Sequence, residues 1–255
     1  MPWRVIRTIS AVKSVLNISS YLFVALDELE WLRERIRSQA QDLGLRGTVL
    51  LAEEGINLFL AGPHDRVRAM VRWLQEDPRF KALEPKESES AEVPFKKLLV
   101  KVKREIIRMN HPTIRPSQGR APGVSPATLT RWLAQGTDDE GRPVVMLDTR
   151  NGFEIEAGRF HDAMDWGLSK FSEFPQAVLD HREELSGKTI VSYCTGGIRC
   201  EKAALFMAEA GVERVLQLEG GILKYFEEVG GEHFEGSCFV FDERRALDHD
   251  LTAQS

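Results

Sequence analysis

The segment Thr189-Ile-Val-Ser-Tyr-Cys-Thr-Gly-Gly-Ile-Arg-Cys-Glu-Lys202 carries the residue types and spacing of a reactive thiol. A β-rich apolar run delivers Cys194 into a glycine-containing loop, Thr195, Gly196, Gly197 and Ile198, that leads through Arg199 directly into a helix. Unpaired N–H groups at the helix start and in the tight loop point toward the sulfur, and Arg199 adds a full positive charge. Cys194 is therefore expected to titrate below an ordinary thiol and to act as the nucleophile. The competing reading, a buried structural cysteine at a strand end, leaves the two glycines and the arginine unexplained.

Loop length separates two chemistries that use such a cradle. A cysteine phosphatase needs five residues between nucleophile and arginine to wrap a tetrahedral phosphate, and here there are four, so its arginine would fall on Cys200. The six residues from Cys194 to Arg199 instead suit one larger atom bonded to the cysteine, such as the outer sulfur of a persulfide.

Strand, six-residue loop and helix resemble the active site of a rhodanese domain. Val144-Val-Met-Leu-Asp-Thr-Arg-Asn-Gly-Phe-Glu154, followed by Gly158, Phe160, His161 and Ala163, is similar to the rhodanese strand that ends in Asp-x-Arg, and Leu218-Glu-Gly-Gly-Ile222 to its later glycine turn. A narrower resemblance spans nearly the whole chain. Gly47-Thr-Val-Leu-Leu-Ala-Glu-Glu-Gly-Ile-Asn57, Ala61-Gly62, Pro94-Phe-Lys-Lys-Leu98, Lys103-Arg-Glu-Ile-Ile107, Asp148-Thr-Arg-Asn151, the Cys194 loop and Phe239-Val-Phe-Asp-Glu-Arg244 resemble the signature blocks of the bacterial tRNA uridine hydroxylase family. Phe153 stands where that pattern has tyrosine, and Asp162 where it has a small residue. The resemblance implies oxygen-dependent hydroxylation of uridine 34 to 5-hydroxyuridine, with molecular oxygen as co-substrate, the tRNA anticodon loop as partner and Cys194 as the essential residue. The alternative reading is a sulfurtransferase carrying a persulfide on Cys194.

Around the cysteine, Arg199 is expected to stabilise the thiolate or bind substrate, or else to pair with Glu201 or a loop carbonyl. Asp148 and Arg150 are read as a supporting brace under the loop. Cys200 is either a resolving thiol or a buried helix residue. His111 and His161 are isolated, and neither is nominated as a base. Trp166 and Phe171 are candidates for stacking on a base, with core packing as the competing reading.

Bulk properties fit a cytoplasmic enzyme with no membrane anchor. The chain has 255 residues, 42% hydrophobic, and no run approaching the roughly 20 apolar residues of a membrane span. Met1-Pro-Trp-Arg-Val-Ile-Arg7 lacks the pattern of a signal peptide, so the mature chain is expected to start there. Three cysteines form no zinc-type pair of pairs, and neither a metal site nor a disulfide framework is expected. The net charge of −5 hides an asymmetry: residues 1–110 hold 19 Lys+Arg against 15 Asp+Glu, and the remainder 15 against 24. Lys96, Lys97, Lys101, Lys103, Arg104 and Arg108 make the first part a candidate tRNA-binding surface, or simply a solvated strand face.

The order of patterns gives an α/β chain: a ferredoxin-like α+β domain (1–110), a proline-rich linker (111–126), a C-terminal rhodanese-like parallel-sheet domain (127–245) and a tail (246–255). Strands over 18–24, 48–51 and 56–60, helices over 28–43 and 66–75, and a returning strand over 97–102 compose the first. Strands over 144–147, 189–193 and 215–218 alternate with helices over 125–135, 171–184 and 199–210 in the second, which sets Cys194 at a strand C-terminus. The oligomeric state is left open by the sequence.

Overall fold

The computed structural model describes residues 14–253; the expectation about Met1–Arg7 lies outside them. Strands β1 (Val15–Phe23), β2 (Arg46–Ala52), β3 (Gly55–Gly62), β4 (Lys86–Ser90) and β5 (Leu98–Val102) form one sheet in the order β4-β1-β3-β2-β5. Every pairing in it is antiparallel except β2 with β5. Helices α1 (Leu29–Asp42) and α2 (His64–Gln75) present Leu32, Ile36 and Ala40, and Val67, Met70, Val71 and Leu74, to one face of it. There they pack on Leu16, Ile18, Val49, Leu51, Ile56 and Leu58. Apolar residues at helical spacing thus meet alternate residues of the strands, as side-chain direction in the two structures requires.

One strand differs from expectation. The segment around 97–102 is not the strand that closes the split β-α-β unit; it adds at the opposite edge, parallel to β2. The closing strand is β4, whose sequence Lys-Glu-Ser-Glu-Ser contains no apolar residue. It is polar because it is an edge strand with neither face on the apolar core: Glu87 and Glu89 are exposed, Glu87 pairing with Arg68 of α2, while Lys86, Glu87 and Ser88 border a cavity. Hydrophobic periodicity cannot detect such a strand.

The second sheet is all parallel, in the order β6-β10-β9-β7, from β6 (Gly123–Val124), β7 (Val144–Asp148), β9 (Thr189–Tyr193) and β10 (Val215–Leu218). Its first strand lies within the proline-rich stretch 111–126. Helices α3 (Pro126–Gln135) and α7 (Gly221–Val229) cover one face, and α5 (Phe174–Asp180) and α6 (Ile198–Glu209) the other. The continuous helix read over 171–184 is broken into α5 between two single 3-10 turns, the second beginning after His181 leaves helical geometry. The short α4 (Gly152–Ile155), β8 (Gly158–Phe160) paired with β11 (Phe234–Gly236), and β12 (Cys238–Phe239) paired with β13 (Ala246–Leu247) complete the described fold. Among the described residues, no helix is long and apolar enough to cross a membrane.

Charged side chains join the two sheets. Lys202 of α6 is 2% exposed, and its Nζ lies 2.8 Å from a Glu54 carboxylate oxygen and 2.7 Å from Glu105. It also donates to the Ile107 carbonyl at 2.9 Å. Glu54 stands in the β2–β3 turn and accepts the Ile106 N–H as well, at 2.8 Å. Near the other end of the chain, Arg244 binds Asp242 through two nitrogens and donates to the Ser88 hydroxyl of β4 at 2.8 Å.

Removing Lys202 strands two part-buried carboxylates beside each other. The variant Lys202→Met is expected to lower the unfolding free energy by about 3 kcal/mol, measured by urea denaturation. Burial pushes the Glu105 carboxyl up, but the Lys202 ammonium and the N–H groups of Met109 and Asn110 outweigh it and hold it below the usual range. Its contribution is therefore present at neutral pH and lost as pH falls through the folded value. Stability measured from pH 7 down to about pH 3, past the ordinary glutamate value of about 4.3, should fall less in Lys202→Met than in the wild type.

Candidate active site

β9 ends at Tyr193, and the next residue, Cys194, is 1% exposed. The loop that follows is shaped by α7. The first N–H groups of that helix, from Ile222 and Leu223, donate to the carbonyls of Cys194 and Thr195 at 3.0 and 3.1 Å. With those carbonyls turned outward, the Gly197 N–H points in and donates to Cys194 Sγ at 3.1 Å. Gly197 has φ +97° and Gly221 +67°, conformations that favour glycine. A Cβ on Gly221 would stand 2.4 Å from the Cys194 carbonyl oxygen. The Thr195 hydroxyl donates to the Phe239 carbonyl at 3.3 Å, which anchors the loop to β12.

Burial by itself pushes the Cys194 thiol up. The adjoining Cys200 thiol, the charge of Arg199 and the N–H groups of Arg199 and Gly197 outweigh that penalty and bring it down to about 6. Burial and the Cys194 sulfur push Cys200 well above the ordinary value, so this pair carries one negative charge at neutral pH, centred on Cys194. Cys200 is fully buried, with Thr149 Oγ1 3.9 Å from its sulfur. Burial pushes the Cys238 thiol up to about 12, so it stays protonated at neutral pH. All three cysteines are free.

Arg199 pairs neither with Glu201 nor with a loop carbonyl. Its guanidinium grips the fully buried Glu154 of α4 with two bonds of 2.7 and 2.6 Å. Glu154 in turn accepts the Asn151 N–H at 3.1 Å. Asp148 and Arg150 form a fully buried bidentate pair, and Arg150 also donates to the carbonyls of Glu154 and Gly158. The order of support thus runs from Asp148 through Arg150 and α4 to Glu154, Arg199 and the thiolate. Glu201 faces the other way, accepting from Arg120, Gln217 and the Tyr21 hydroxyl of β1, the last at 3.1 Å. Glu154 was not among the sequence candidates, although it closes the Asp148-to-Glu154 block; its signal was an acidic residue five positions beyond the Asp-Thr of a strand end.

Cys194 opens into a cavity of about 490 Å³ whose opposite wall is the N-terminal sheet. Asn17, Ser19 and Tyr21 of β1, Thr48 of β2, Asn57 of β3 and Lys86 of β4 line it. The registers Ser19 with Phe59, Tyr21 with Asn57 and Ser19 with Lys86 put these residues on the face opposite α1 and α2. Burial pushes the Lys86 ammonium down, the Cys194 charge works against that, and its Nζ sits 5.4 Å from the centre of the Tyr21 ring. Sequence reading missed Tyr21 and Lys86, because nothing local distinguishes them from a solvated strand.

The remaining candidates separate. Phe171 lines the cavity. Trp166 does not; it stacks on His181 at 5.2 Å and packs against Phe174. His111 leans edge-on against Phe206, and His161 is exposed; neither borders the cavity. Of the six basic residues from Lys96 to Arg108, all are exposed and Arg108 reaches the cavity rim. Among the described residues, no group of three His, Cys, Asp or Glu side chains is placed to hold a metal ion.

Alkylation by iodoacetamide followed against pH should give an inflection at about 6 that belongs to Cys194. Arg199→Met removes the cation that lowers the thiol and leaves the buried Glu154 carboxylate without its arginine. Its inflection should therefore rise toward the ordinary thiol value of about 8.5. Gly221→Ala, which crowds the loop carbonyl, should lower stability by about 2 kcal/mol and raise the same inflection.

Residues 15–106 match the profile of the UPF0176 acylphosphatase like domain, and residues 129–228 that of the rhodanese-like domain. Among the chain's relatives, the tRNA uridine(34) hydroxylase of Bordetella petrii is 64% identical over 92% of this chain and 93% of its own length. Those of Variovorax paradoxus and Bordetella pertussis are each 62% identical, over 96% and 95% of this chain and 93% and 99% of theirs. Because that identity extends along both sheets and the elements between them, and not only around the cysteine loop, the chain belongs to the tRNA uridine(34) hydroxylase family.

Proposed function

We propose that this protein hydroxylates uridine 34 of tRNA to 5-hydroxyuridine, with molecular oxygen as co-substrate and Cys194 as the residue that reacts with the base. The observation that carries the reading is the placement of the lowered-pKa thiolate at the bottom of a cavity built jointly by two domains. At about 490 Å³ the cavity is in the size range of small-molecule sites. A nucleotide in the single-stranded anticodon loop reaches it at small cost, since it leaves only a partial stack. In this scheme the Cys194 sulfur adds to C6 of the uracil and the displaced electron pair moves toward O4. The resulting enolate is electron-rich at C5, where it attacks molecular oxygen. A two-electron donor of the thiol class, supplied from outside the protein, and two protons reduce the O–O bond so that one oxygen stays on C5 and the other leaves as water. Loss of H5 as a proton with departure of the Cys194 sulfur from C6 restores the ring. Polar groups of the N-terminal sheet, Asn57, Tyr21 and Lys86 among them, would face the base edge from the other wall.

Asp148, Arg150 and Cys200 act in this reading as supports, and the loop from Thr195 to Arg199 as the thiolate cradle. The reaction belongs in the cytoplasm, where tRNA is found and thiols stay reduced. The sulfurtransferase alternative is weaker on one point. A persulfide on Cys194 would have to pass its sulfur to an acceptor through a chamber roofed by the polar face of β1, β3 and β4.

Nucleosides from tRNA of cells lacking the protein, complemented with wild type or Cys194→Ala, should show 5-hydroxyuridine only with wild type. Purified protein supplied with a thiol reductant should show the activity in air and lose it under nitrogen. RNA carrying 5-fluorouridine at position 34 should leave a covalent adduct on Cys194, detected by mass spectrometry. Equal 5-hydroxyuridine in all strains, together with rapid sulfur transfer from thiosulfate to cyanide, would establish the alternative.

A further inference from the structure

Two phenylalanines stand open beside the cavity. Phe153 of α4 is 49% exposed and Phe241 is 52% exposed, among few large apolar side chains so open to water in the described residues. Their ring centres lie 6.3 Å apart at 88°. Each meets Phe239 edge-on at 5.3 Å. Edge-to-face packing of this kind holds rings rigidly while leaving ring surface uncovered. Phe241 itself lines the cavity, and Phe153 lies two residues from Asn151, which does so too.

Positive charge borders the same place. Glu243 donates its backbone N–H to the Pro94 carbonyl at 3.1 Å, which sets Phe95-Lys-Lys97 against the segment containing Phe241. Phe95, Arg108 and Lys170 line the cavity, and Lys96, Lys97, Arg108 and Lys170 are all exposed. Acidic groups share the rim: Glu243 lies 3.6 Å from Lys96, Glu173 3.6 Å from Lys170, and Asp242 is taken by Arg244. Rigid aromatic faces flanked by long basic side chains suit single-stranded nucleic acid, whose bases stack on the rings while phosphates meet the cations.

We infer that Phe153 and Phe241 form a stacking platform for the nucleotides next to the one whose base enters the cavity. The inference rests on the proposed tRNA activity and adds to it the surface that holds the displaced anticodon loop. The platform belongs to the rim and not to the Cys194 cradle, so its loss weakens RNA binding without altering the thiolate.

The test uses the full chain with Phe153→Ala, Phe241→Ala, the double variant and Phe241→Trp, and an anticodon stem-loop RNA with uridine 34 as probe. The double variant should raise KM for tRNA roughly tenfold, in line with alanine substitution at other base-stacking aromatics. Its melting temperature and the pH inflection of Cys194 alkylation should remain those of the wild type. In Phe241→Trp, indole emission measured against the wild-type background should be quenched by the stem-loop. An unchanged KM in the double variant overturns the platform and leaves the hydroxylase reading standing. So does a raised KM accompanied by a shifted alkylation inflection, because the change then acts through the loop. If wild type forms no 5-hydroxyuridine, the hydroxylase reading falls. Quenching of Phe241→Trp by the RNA then still supports the platform, and absence of quenching overturns it.

Discussion

A buried ammonium between two carboxylates fixes where the N-terminal sheet sits over the cysteine. Lys202 is nearly without solvent, so its charge is tolerated only while Glu54 and Glu105 remain in place. Both acids come from the N-terminal module, one from the β2–β3 turn and one from the segment after β5. The pairing consequently has little freedom to slide. Desolvation offsets much of the Coulomb attraction, so the gain is more in geometry than in net stability. With Tyr21 bound to Glu201 and Arg244 bound to Ser88, it turns the polar side of the five-stranded sheet toward the Cys194 loop.

Three charged residues in four positions at the start of α6 divide the labour. Arg199 points to Glu154 and stays beside the sulfur; Lys202 points to the other domain, and Glu201 accepts a bond from that domain's Tyr21 as well as from Arg120 and Gln217. One helical turn therefore couples thiolate electrostatics to domain placement, as successive residues of a helix face different directions. The cradle depends on backbone as much as on charge. Its inward N–H groups exist because the carbonyls on the far side are held by the first turn of α7. An arginine locked to a buried carboxylate is a fixed source of potential, and so needs no rearrangement when the sulfur ionises.

Substrate access follows from the same arrangement. The cavity is closed on one side by the rhodanese-type loop, on the other by strand residues with period two, and is rimmed by aromatic and basic groups from three separate stretches of chain. A site distributed in this way cannot be completed by either domain alone.

Local sequence determined the Cys194 loop, three of the four strands of the parallel sheet beneath it and the two amphipathic helices of the first module. Each is specified by neighbouring residues: glycines where φ must be positive, apolar periods of two or 3.6, and a cysteine placed at a strand end. The resemblance read from ordered blocks likewise needed only order and identity. Glu154 as the partner of Arg199, Glu54 and Glu105 around Lys202, and Tyr21 and Lys86 at the cavity were decided by tertiary structure. These pairings join residues up to 148 positions apart. A charge in a sequence carries no mark of which distant charge it will meet. The all-polar β4 was hidden for a related reason, since its pattern answers to a cavity and an edge, and the apolar core that makes strands legible lies on neither side of it.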